Sequence, residues 1–287
     1  MSSDTTFTIN LKPTGDEGSA LRYRNETPNQ VQRPTLIDRS DAFGGAVEGN
    51  LQTIIHGQFG GESLEDRDKA ATLIVAHFWF FPPPQKRFHS VSIDFIFKDP
   101  QPGVYAPEVI GIAPGGTVDL FRSTGDCSSN TKKCARIGFN ILGFKAMGSV
   151  EKETSLSHEG VTKGVLNGGP YANRDSGPRN GVRWFMSENK AKRTGIPSEL
   201  RVAILLKRQD DQPFVAQLKV DAKIDTAYAA DSALRRLFGL YHIDDVNFSP
   251  AEVGMGRGTP PLGSNTDQLS KVMLSSLCQI GPVDSEE

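Results

Sequence analysis

The sequence has few cysteines and no stretch that would cross a membrane. Only three cysteines occur among 287 residues, an odd number and too few for the disulfide framework of a secreted domain. We expect reduced thiols, and a bridge between Cys127 and Cys134 is left open. No run approaches ~18 uninterrupted apolar residues, so we expect no stable membrane insertion. Residues 1–6 carry neither a basic nor an apolar region, so we expect no secretory signal and a cytoplasmic location.

No charge of one sign dominates the chain. There are 32 lysines and arginines against 34 aspartates and glutamates, which gives a formal net charge of -2. Because a dedicated nucleic-acid-binding protein normally carries a basic excess, we expect no nucleic-acid partner. The basic clusters at 132–133, 190–193 and 207–208 are interpreted as solvated strand ends and loops.

Motifs for metals, nucleotides and activated nucleophiles are missing as well. The five histidines never stand at a metal-site spacing of i, i+2 or i, i+4. Cys127 and Cys134 are too far apart for a structural zinc site. The Gly-rich segment 254–258 has no strand before it and is followed by two prolines, so it lacks the helix N-terminus that a phosphate loop requires. No Gly-x-Ser-x-Gly motif occurs. We therefore expect no metal and no cofactor.

What the sequence does contain is alternation of apolar and polar residues, which is typical of strands with one buried face. The clearest run is 214–224, and residues 202–206 and 91–97 show the same pattern. The polar linker at 209–213 predicts a hairpin turn between two of these strands. Strands dominate and do not alternate regularly with helices. The sequence therefore predicts a mainly β fold, an antiparallel β-sandwich, with a barrel as the alternative.

One predicted strand is apolar on both faces. Residues 73–81 have the sequence LIVAHFWFF and are followed by three prolines. A strand that is covered on both sides lies at the centre of a sandwich or lines an internal cavity. Because consecutive strand residues point to opposite faces, His77, Trp79 and Phe81 share one face.

Three regions are predicted along the chain. Residues 1–49 are polar with weak periodicity and are predicted to be an irregular leader. Residues 50–240 form the β-rich domain, which ends in a predicted helix at 225–239. Residues 241–287 contain a linker and then an amphipathic C-terminal helix at 267–280, indicated by an apolar stripe at helical spacing. Because a short isolated helix is marginal in water, this one is expected to dock on the sandwich, to bind a partner or to be unstructured.

Candidate acid–base residues lie on the predicted strands or beside them. His77 stands among aromatic residues, where loss of hydration disfavours the charged imidazole, so a neutral base or donor is expected. Asp94 lies in an alternating strand, and Glu188 shares a strand face with Trp184 and Met186. We take His77, Asp94 and Glu188 as candidate catalytic residues. The alternative for each is a hydrogen-bonded structural group.

Two functions of different classes fit these features. In the first, an aromatic-lined cavity binds a small apolar metabolite, and the Gly-rich segment 167–181 closes over it as a lid. The substrate-binding candidates are Trp79, Phe81, Trp184 and Met186. An enzyme of this kind would be a cyclase, isomerase or pericyclase that works by positioning and acid–base chemistry. In the second, the sandwich is a protein–protein interaction module without catalysis. A homodimer through a sheet edge or the C-terminal helix is compatible with both.

Several short motifs within the predicted β-rich domain carry a resemblance to a family. The motifs are Pro107-Glu108-Val109-x-x-Ile112-Ala113-Pro114, Trp184-x-x-x-Glu188-Asn189-Lys190, Gly195-Ile196-Pro197, Leu200-Arg201 and Leu237-Phe238-Gly239. This pattern is similar to a widespread family of cytosolic proteins of filamentous fungi, most of which have no assigned function. The resemblance implies a fungal source and a cytosolic location, and an enzyme of the first class would then belong to fungal secondary metabolism. It implies nothing about a reaction and transfers no functional residue, because none of the motifs is catalytic.

Overall fold

The structure is a computed structural model. It describes residues 25–27, 30–40, 45–99, 106–121, 163–173, 177–190, 192–224, 243–253, 256–257 and 266–283. The predicted helix at 225–239, most of the predicted leader, and both Cys127 and Cys134 lie outside the described residues. Cys278 lies within them and is a free thiol.

Strands dominate the described part of the chain. They are β1 (Thr35–Ser40), β2 (Ala46–Gln58), β3 (Ala70–Phe81), β4 (Phe88–Lys98), β5 (Glu108–Ala113), β6 (Gly116–Phe121), β7 (Gly164–Tyr171), β8 (Gly181–Ser187), β9 (Glu199–Arg208), β10 (Phe214–Ile224), β11 (Val246–Phe248), β12 (Gly256–Arg257) and β13 (Gln279–Ile280). The helical segments are α1 (Leu64–Arg67), α2 (Pro250–Val253) and two 3-10 helices, η1 (Thr266–Lys271) and η2 (Leu274–Ser276). No helix in these ranges is long and apolar enough to cross a membrane.

The strands form two antiparallel sheets. Sheet I has the order β1-β2-β3-β9-β13, with β12 added to β2 and β5 added to β9. Sheet II has the order β11-β10-β4-β8-β7-β6. Among the described strands the two sheets stay separate and pack face to face on one apolar core. The antiparallel β-sandwich predicted from the sequence is therefore confirmed, and the barrel alternative does not apply to these strands.

The core between the sheets explains the alternation in the sequence. In β10, the residues from Phe214 to Ile224 at every second position face the core and are buried, while those between them face outward. Phe78 of sheet I meets Phe95 of sheet II edge to face, with ring centroids 6.1 Å apart. Complete burial of a phenylalanine side chain contributes roughly 1.5–3 kcal/mol to stability, so aromatic contacts of this kind hold the two sheets together.

The linker at 209–213 is not the hairpin turn that its composition predicts. β9 pairs with β3 in sheet I, whereas β10 pairs with β4 in sheet II, so the linker carries the chain from one sheet to the other. The buried Arg208 holds it by donating hydrogen bonds to the carbonyl oxygen of Asp210 at 2.6 Å and to the carboxylate of Asp211 at 3.1 Å. Alternation identifies both strands, but it does not encode the sheet that each one joins.

The strand β3 lies between β2 and β9 at the centre of sheet I, and both of its faces are covered. Ile74 and Phe78 face the sandwich core. Leu73 points to the outer face of sheet I, where it packs in an apolar cluster with Leu269 of η1. The segment 266–283 therefore covers the outer face of β3 around Leu73 and Val75. This cover explains why the first part of 73–81 has no polar side.

The C-terminal segment docks on sheet I, but it does so as η1, η2 and β13 instead of as one amphipathic helix. The backbone of Gln268 has φ −143° and ψ 55°, which is not helical. Backbone groups that an α-helix would pair internally bond to the rest of the domain. The N–H of Ser270 donates to the carbonyl oxygen of Phe59 at 2.9 Å, and β13 pairs with β9. Spacing of apolar residues by three and four fits 3-10 turns on a sheet as well as a helix.

Strands also occur outside the segment 50–240 that the sequence assigned to the β-rich domain. β1 and the start of β2 lie in the predicted leader, and β11, β12 and β13 lie in the predicted linker and helix region. β1 pairs with β2 along Thr35–Ser40, and β11 pairs with β10 at Val246–Phe248. Short edge strands of this kind carry too few residues for alternation to reveal them.

Replacing Leu269 with alanine is expected to lower the free energy of unfolding by about 2–4 kcal/mol, because the side chain is fully buried between η1 and sheet I. Met273 lies in the same segment but is 65% exposed, so Met273→Ala should change stability by less than about 0.5 kcal/mol. Urea denaturation of both variants measures the two values. Equal, small effects would contradict the docking of this segment.

Candidate functional site

The three predicted catalytic residues lie at three separate places. His77 is on the outer face of sheet I, away from the core. Asp94 is on the outer face of sheet II. Glu188 follows β8 at the rim of the sandwich, where β4 begins and β8 and β10 end. The fold therefore does not join these side chains in one constellation.

His77 is held by neighbours on sheet I. Its Nδ1 faces the amide nitrogen of Gln52 at 3.1 Å, and its Nε2 lies 3.0 Å from a carboxylate oxygen of Glu199. Its ring packs on Trp79 with centroids 3.9 Å apart. Burial lowers the pKa of His77, and the carboxylate of Glu199 opposes that effect. The amide donor assigns Nδ1 as an acceptor and Nε2–H as the donor to Glu199, so both nitrogens are used in holding the ring. A catalytic role for His77 stays a prediction.

The four predicted substrate-binding residues do not surround one cavity. Trp184 and Met186 are fully buried between the sheets, where the indole N–H of Trp184 donates to the carbonyl oxygen of Pro114 at 2.7 Å. Trp79 is partly exposed on the outer face of sheet I, and Phe81 at the end of β3 is 45% exposed. Two cavities on sheet II, described next, are lined by none of the four.

The first of these cavities is an open cleft of about 790 Å³ at the rim of sheet II, called the rim cleft. Its lining residues are Arg87, His89, Ser90, Phe185, Ser187, Glu188, Lys190, Arg193, Lys223 and Ile224. Four of these side chains are arginines or lysines and one is a carboxylate, so the cleft has a net positive charge. Phe185, which is 39% exposed, and Ile224 give it an apolar side.

Glu188 lines the rim cleft and is only 4% exposed. Arg87 donates through Nε to one carboxylate oxygen at 2.7 Å, and the N–H of Gly195 donates to the same oxygen at 3.2 Å. The Nδ1 of His89 is in contact with the other oxygen. Burial alone would raise the pKa of Glu188, but the hydrogen bonds from Arg87 and His89 outweigh it and lower the pKa. Glu188 is therefore ionised at neutral pH and orients Arg87 and His89.

The loop after β8 brings two cations to the rim cleft. The buried Asn189 organises it: its N–H donates to the hydroxyl of Thr194 at 3.2 Å, and its side-chain oxygen accepts from the N–H of Lys192 at 3.2 Å. This arrangement places Lys190 and Arg193 among the residues that line the cleft, whereas Lys192 is not one of them.

The second cavity is a shallower groove of about 370 Å³ on the outer face of sheet II, called the face groove. It is lined by Gly116, Thr117, Asn167, Gly168, Gly169, Pro170, Tyr171, Arg183 and Phe185. Residues 167–171, the first part of the segment predicted as a lid, line this groove, and they belong to the strand β7 instead of a loop. Phe185 lines both cavities, so the face groove and the rim cleft are neighbours on one surface.

Asp94 stands beside the face groove and fixes two of its walls. Its Oδ1 accepts hydrogen bonds from Nε of Arg183 at 2.5 Å and from the hydroxyl of Tyr171 at 3.3 Å. The hydroxyl of Ser92 donates to Oδ2 at 3.0 Å. The guanidinium of Arg183 also lies 5.3 Å from the centroid of the Tyr171 ring. Burial and the charge of Asp94 raise the pKa of Tyr171, so its hydroxyl stays protonated and donates at neutral pH.

Sequence reasoning did not identify Arg87, His89 and Lys223 as site residues. Arg87 and His89 flank the buried Phe88, and their approach to Glu188 depends on the pairing of β4 with β8. The cluster at 190–193 was interpreted as a solvated loop, yet two of its members line the cleft. Within the described ranges, no group of three or more His, Cys, Asp or Glu residues could hold a metal ion.

Comparison of the chain with models of protein families, with curated proteins and with solved structures found no match. This result does not test the resemblance to the family of cytosolic proteins of filamentous fungi, which stays a prediction. The support for a function comes from the geometry and charge of the rim cleft and the face groove.

Proposed function

We propose that the protein binds a small anionic molecule in the rim cleft. The observation that carries this proposal is a cleft of about 790 Å³ that is lined by four cationic side chains and by a buried, ionised glutamate. Ligand sites in proteins typically have volumes of roughly 300–1,000 Å³ and few polar groups at fixed positions. In the rim cleft, the carboxylate of Glu188 holds the polar side chains of Arg87 and His89 at fixed positions.

The cations of the rim cleft come from three parts of the fold. Arg87 precedes β4, Lys190 and Arg193 lie on the loop after β8, and Lys223 lies near the end of β10. An anion in the cleft would therefore meet positive charge from several sides. An arginine guanidinium offers paired N–H donors that match a carboxylate or phosphate. The salt bridge between Arg87 and Glu188 orients that guanidinium in advance.

This ligand differs from the apolar metabolite expected from the sequence. That expectation depended on aromatic residues that the structure places in the core or on the outer face of sheet I. The rim cleft instead combines positive charge with an apolar side made by Phe185 and Ile224. A ligand in which a charged group is joined to a ring or to a short apolar part would match this combination.

Acid–base chemistry is part of the same proposal, with His89 in the role that the sequence suggested for Glu188. An imidazole whose Nδ1 contacts a carboxylate has its orientation and tautomer fixed, and its Nε2 exchanges a proton with a bound ligand. The cations of the cleft would stabilise negative charge that develops during proton transfer. An isomerase or cyclase uses groups of this kind. A cytoplasmic role in fungal secondary metabolism also belongs to the proposal, and its fungal part rests on the resemblance alone.

Replacing Lys190 or Lys223 with glutamine is expected to weaken binding of inorganic phosphate by about fivefold each, because each change removes one cation from the cleft. Lys192 and Lys219 are matched controls: the first lies in the same loop and the second on the same strand, and neither lines the cleft. Lys192→Gln and Lys219→Gln should leave the affinity unchanged. Amide chemical-shift titrations give the dissociation constants and show which residues respond.

The proposal is wrong if all four variants bind phosphate like the wild type, or if the wild type does not bind it. The alternative expected from the sequence, an interaction module without catalysis, then becomes the better hypothesis. It predicts association that depends on protein concentration, which sedimentation measures on the same samples.

A further inference from the structure

The outer face of sheet II forms a continuous polar surface next to the rim cleft. Arg183, Phe185 and Ser187 follow one another along β8 and all point outward, about 7 Å apart. The first two line the face groove, and the last two line the rim cleft. A ligand bound in the cleft can therefore extend into the groove across Phe185.

Gly169 in the floor of the face groove has no structural reason to be a glycine. A Cβ built on it would meet no atom within 4 Å, and its φ does not lie in the left-handed region. Its neighbour Gly168 is different, because a Cβ there would lie 2.3 Å from the carbonyl oxygen of Pro114 and 2.8 Å from the ring of Trp184. Gly168 is required for packing on Trp184, whereas the missing side chain at Gly169 only leaves the groove open.

The walls of the groove combine an aromatic ring with fixed polar groups. Phe185 presents its ring on one side, and Arg183 is held by Asp94 on the other. The hydroxyl of Thr117 donates a hydrogen bond to the side-chain oxygen of Asn167 at 2.7 Å. Because that oxygen is the acceptor, the NH₂ group of Asn167 points away from Thr117 and can donate hydrogen bonds. Aromatic rings pack against the C–H face of a sugar, and amide and guanidinium groups bond to its hydroxyls. An entirely apolar ring would displace water from those polar groups without replacing its hydrogen bonds.

We propose that the face groove holds the sugar ring of an anionic sugar whose charged group lies in the rim cleft. The inference rests on the proposed function, since the cleft must first accept the anion. It assigns Phe185 as the surface on which the sugar ring stacks, Arg183 and Asn167 as partners of its hydroxyls, and Gly169 as the residue that leaves room for it. Asp94, predicted from the sequence as catalytic, becomes a positioning residue for Arg183.

The experiment compares inorganic phosphate with three sugar acids: glucose 6-phosphate, ribose 5-phosphate and glucuronate. At least one of the three is expected to bind the wild-type protein about tenfold more tightly than phosphate. Gly169→Val should remove that advantage by filling the groove, while its affinity for phosphate stays at the wild-type value. Valine is compatible with a strand, and its Cβ enters open space, so the melting temperature should not fall.

Gly115→Val is the matched control, because Gly115 is exposed, lies outside the groove and has only ordinary contacts for a Cβ. It should leave both affinities unchanged. The inference is overturned if none of the three sugar acids binds better than phosphate, or if Gly169→Val keeps the advantage. Phosphate binding that still depends on Lys223 would then leave the proposed function intact. If the wild-type protein does not bind phosphate, both this inference and the proposed function are wrong.

Discussion

Replacing Trp184 with alanine is expected to lower the free energy of unfolding by about 3–5 kcal/mol. The side chain is fully buried and contacts Phe95 edge to face, with ring centroids 6.5 Å apart. Its removal also leaves the carbonyl oxygen of Pro114 without the indole donor, which adds the cost of an unsatisfied buried group. Urea denaturation followed by circular dichroism measures the change.

Two further variants separate packing from the hydrogen bond. Trp184→Phe keeps most of the apolar volume but removes the donor, so it should cost about 1–3 kcal/mol. Trp79→Ala should cost less than about 1.5 kcal/mol, because Trp79 is partly exposed on the outer face of sheet I. If Trp79→Ala were as damaging as Trp184→Ala, the assignment of the two tryptophans to outer face and core would be wrong.

Lowering the pH from about 6.5 to about 4 is expected to cost the protein roughly 3 kcal/mol of stability through His56 alone. Burial, with a contribution from Arg208, lowers the pKa of His56 from 6.5 to about 4. Its Nε2 accepts from the amide of Gln32 at 2.6 Å, and its Nδ1 lies 2.9 Å from the hydroxyl of Thr72. Between the two pKa values the unfolded chain binds a proton that the folded protein does not. Stability therefore rises from pH 4 to pH 6.5 and levels off above that.

The variant His56→Gln isolates this contribution. Its stability at pH 7 is expected to be lower than that of the wild type, because the contacts to Gln32 and Thr72 change. Its stability should nevertheless depend less on pH between 4 and 6.5, by roughly 3 kcal/mol over that interval. Carboxylates such as Glu188, whose pKa is also lowered, titrate in both proteins and cancel in the comparison. An identical pH dependence in wild type and variant would contradict the buried, neutral state of His56.

The sequence predicted the strands of the fold better than their arrangement. Alternation in 214–224 and the two-sided apolar run in 73–81 correspond to β10 and β3, because burial of one face or both faces acts on each residue locally. The sheet that each strand joins depends on contacts between distant parts of the chain. For that reason the linker at 209–213 looked like a hairpin turn, although it crosses between the sheets.

The candidate sites were less accessible to prediction for the same reason. Glu188 was identified, but the residues that give it a role, Arg87 and His89, come from the start of another strand. The glycines at 168 and 169 suggested a lid loop, because glycine is rare within strands. Gly168 allows close packing on Trp184, and Gly169 leaves the groove open. These two roles can be recognised only when the neighbouring side chains are known.

The central position of β3 also has a consequence for the order of folding. β3 forms its second edge contact with β9, and the segment 266–283 that covers its outer face comes later still in the chain. Pairings between such distant residues form slowly, since a long loop must close first. Until they form, β3 presents apolar side chains on both faces and an unpaired edge to water. At that stage two nascent chains can associate through β3, so the strand at the centre of the finished sheet is also a region at which aggregation can begin during folding.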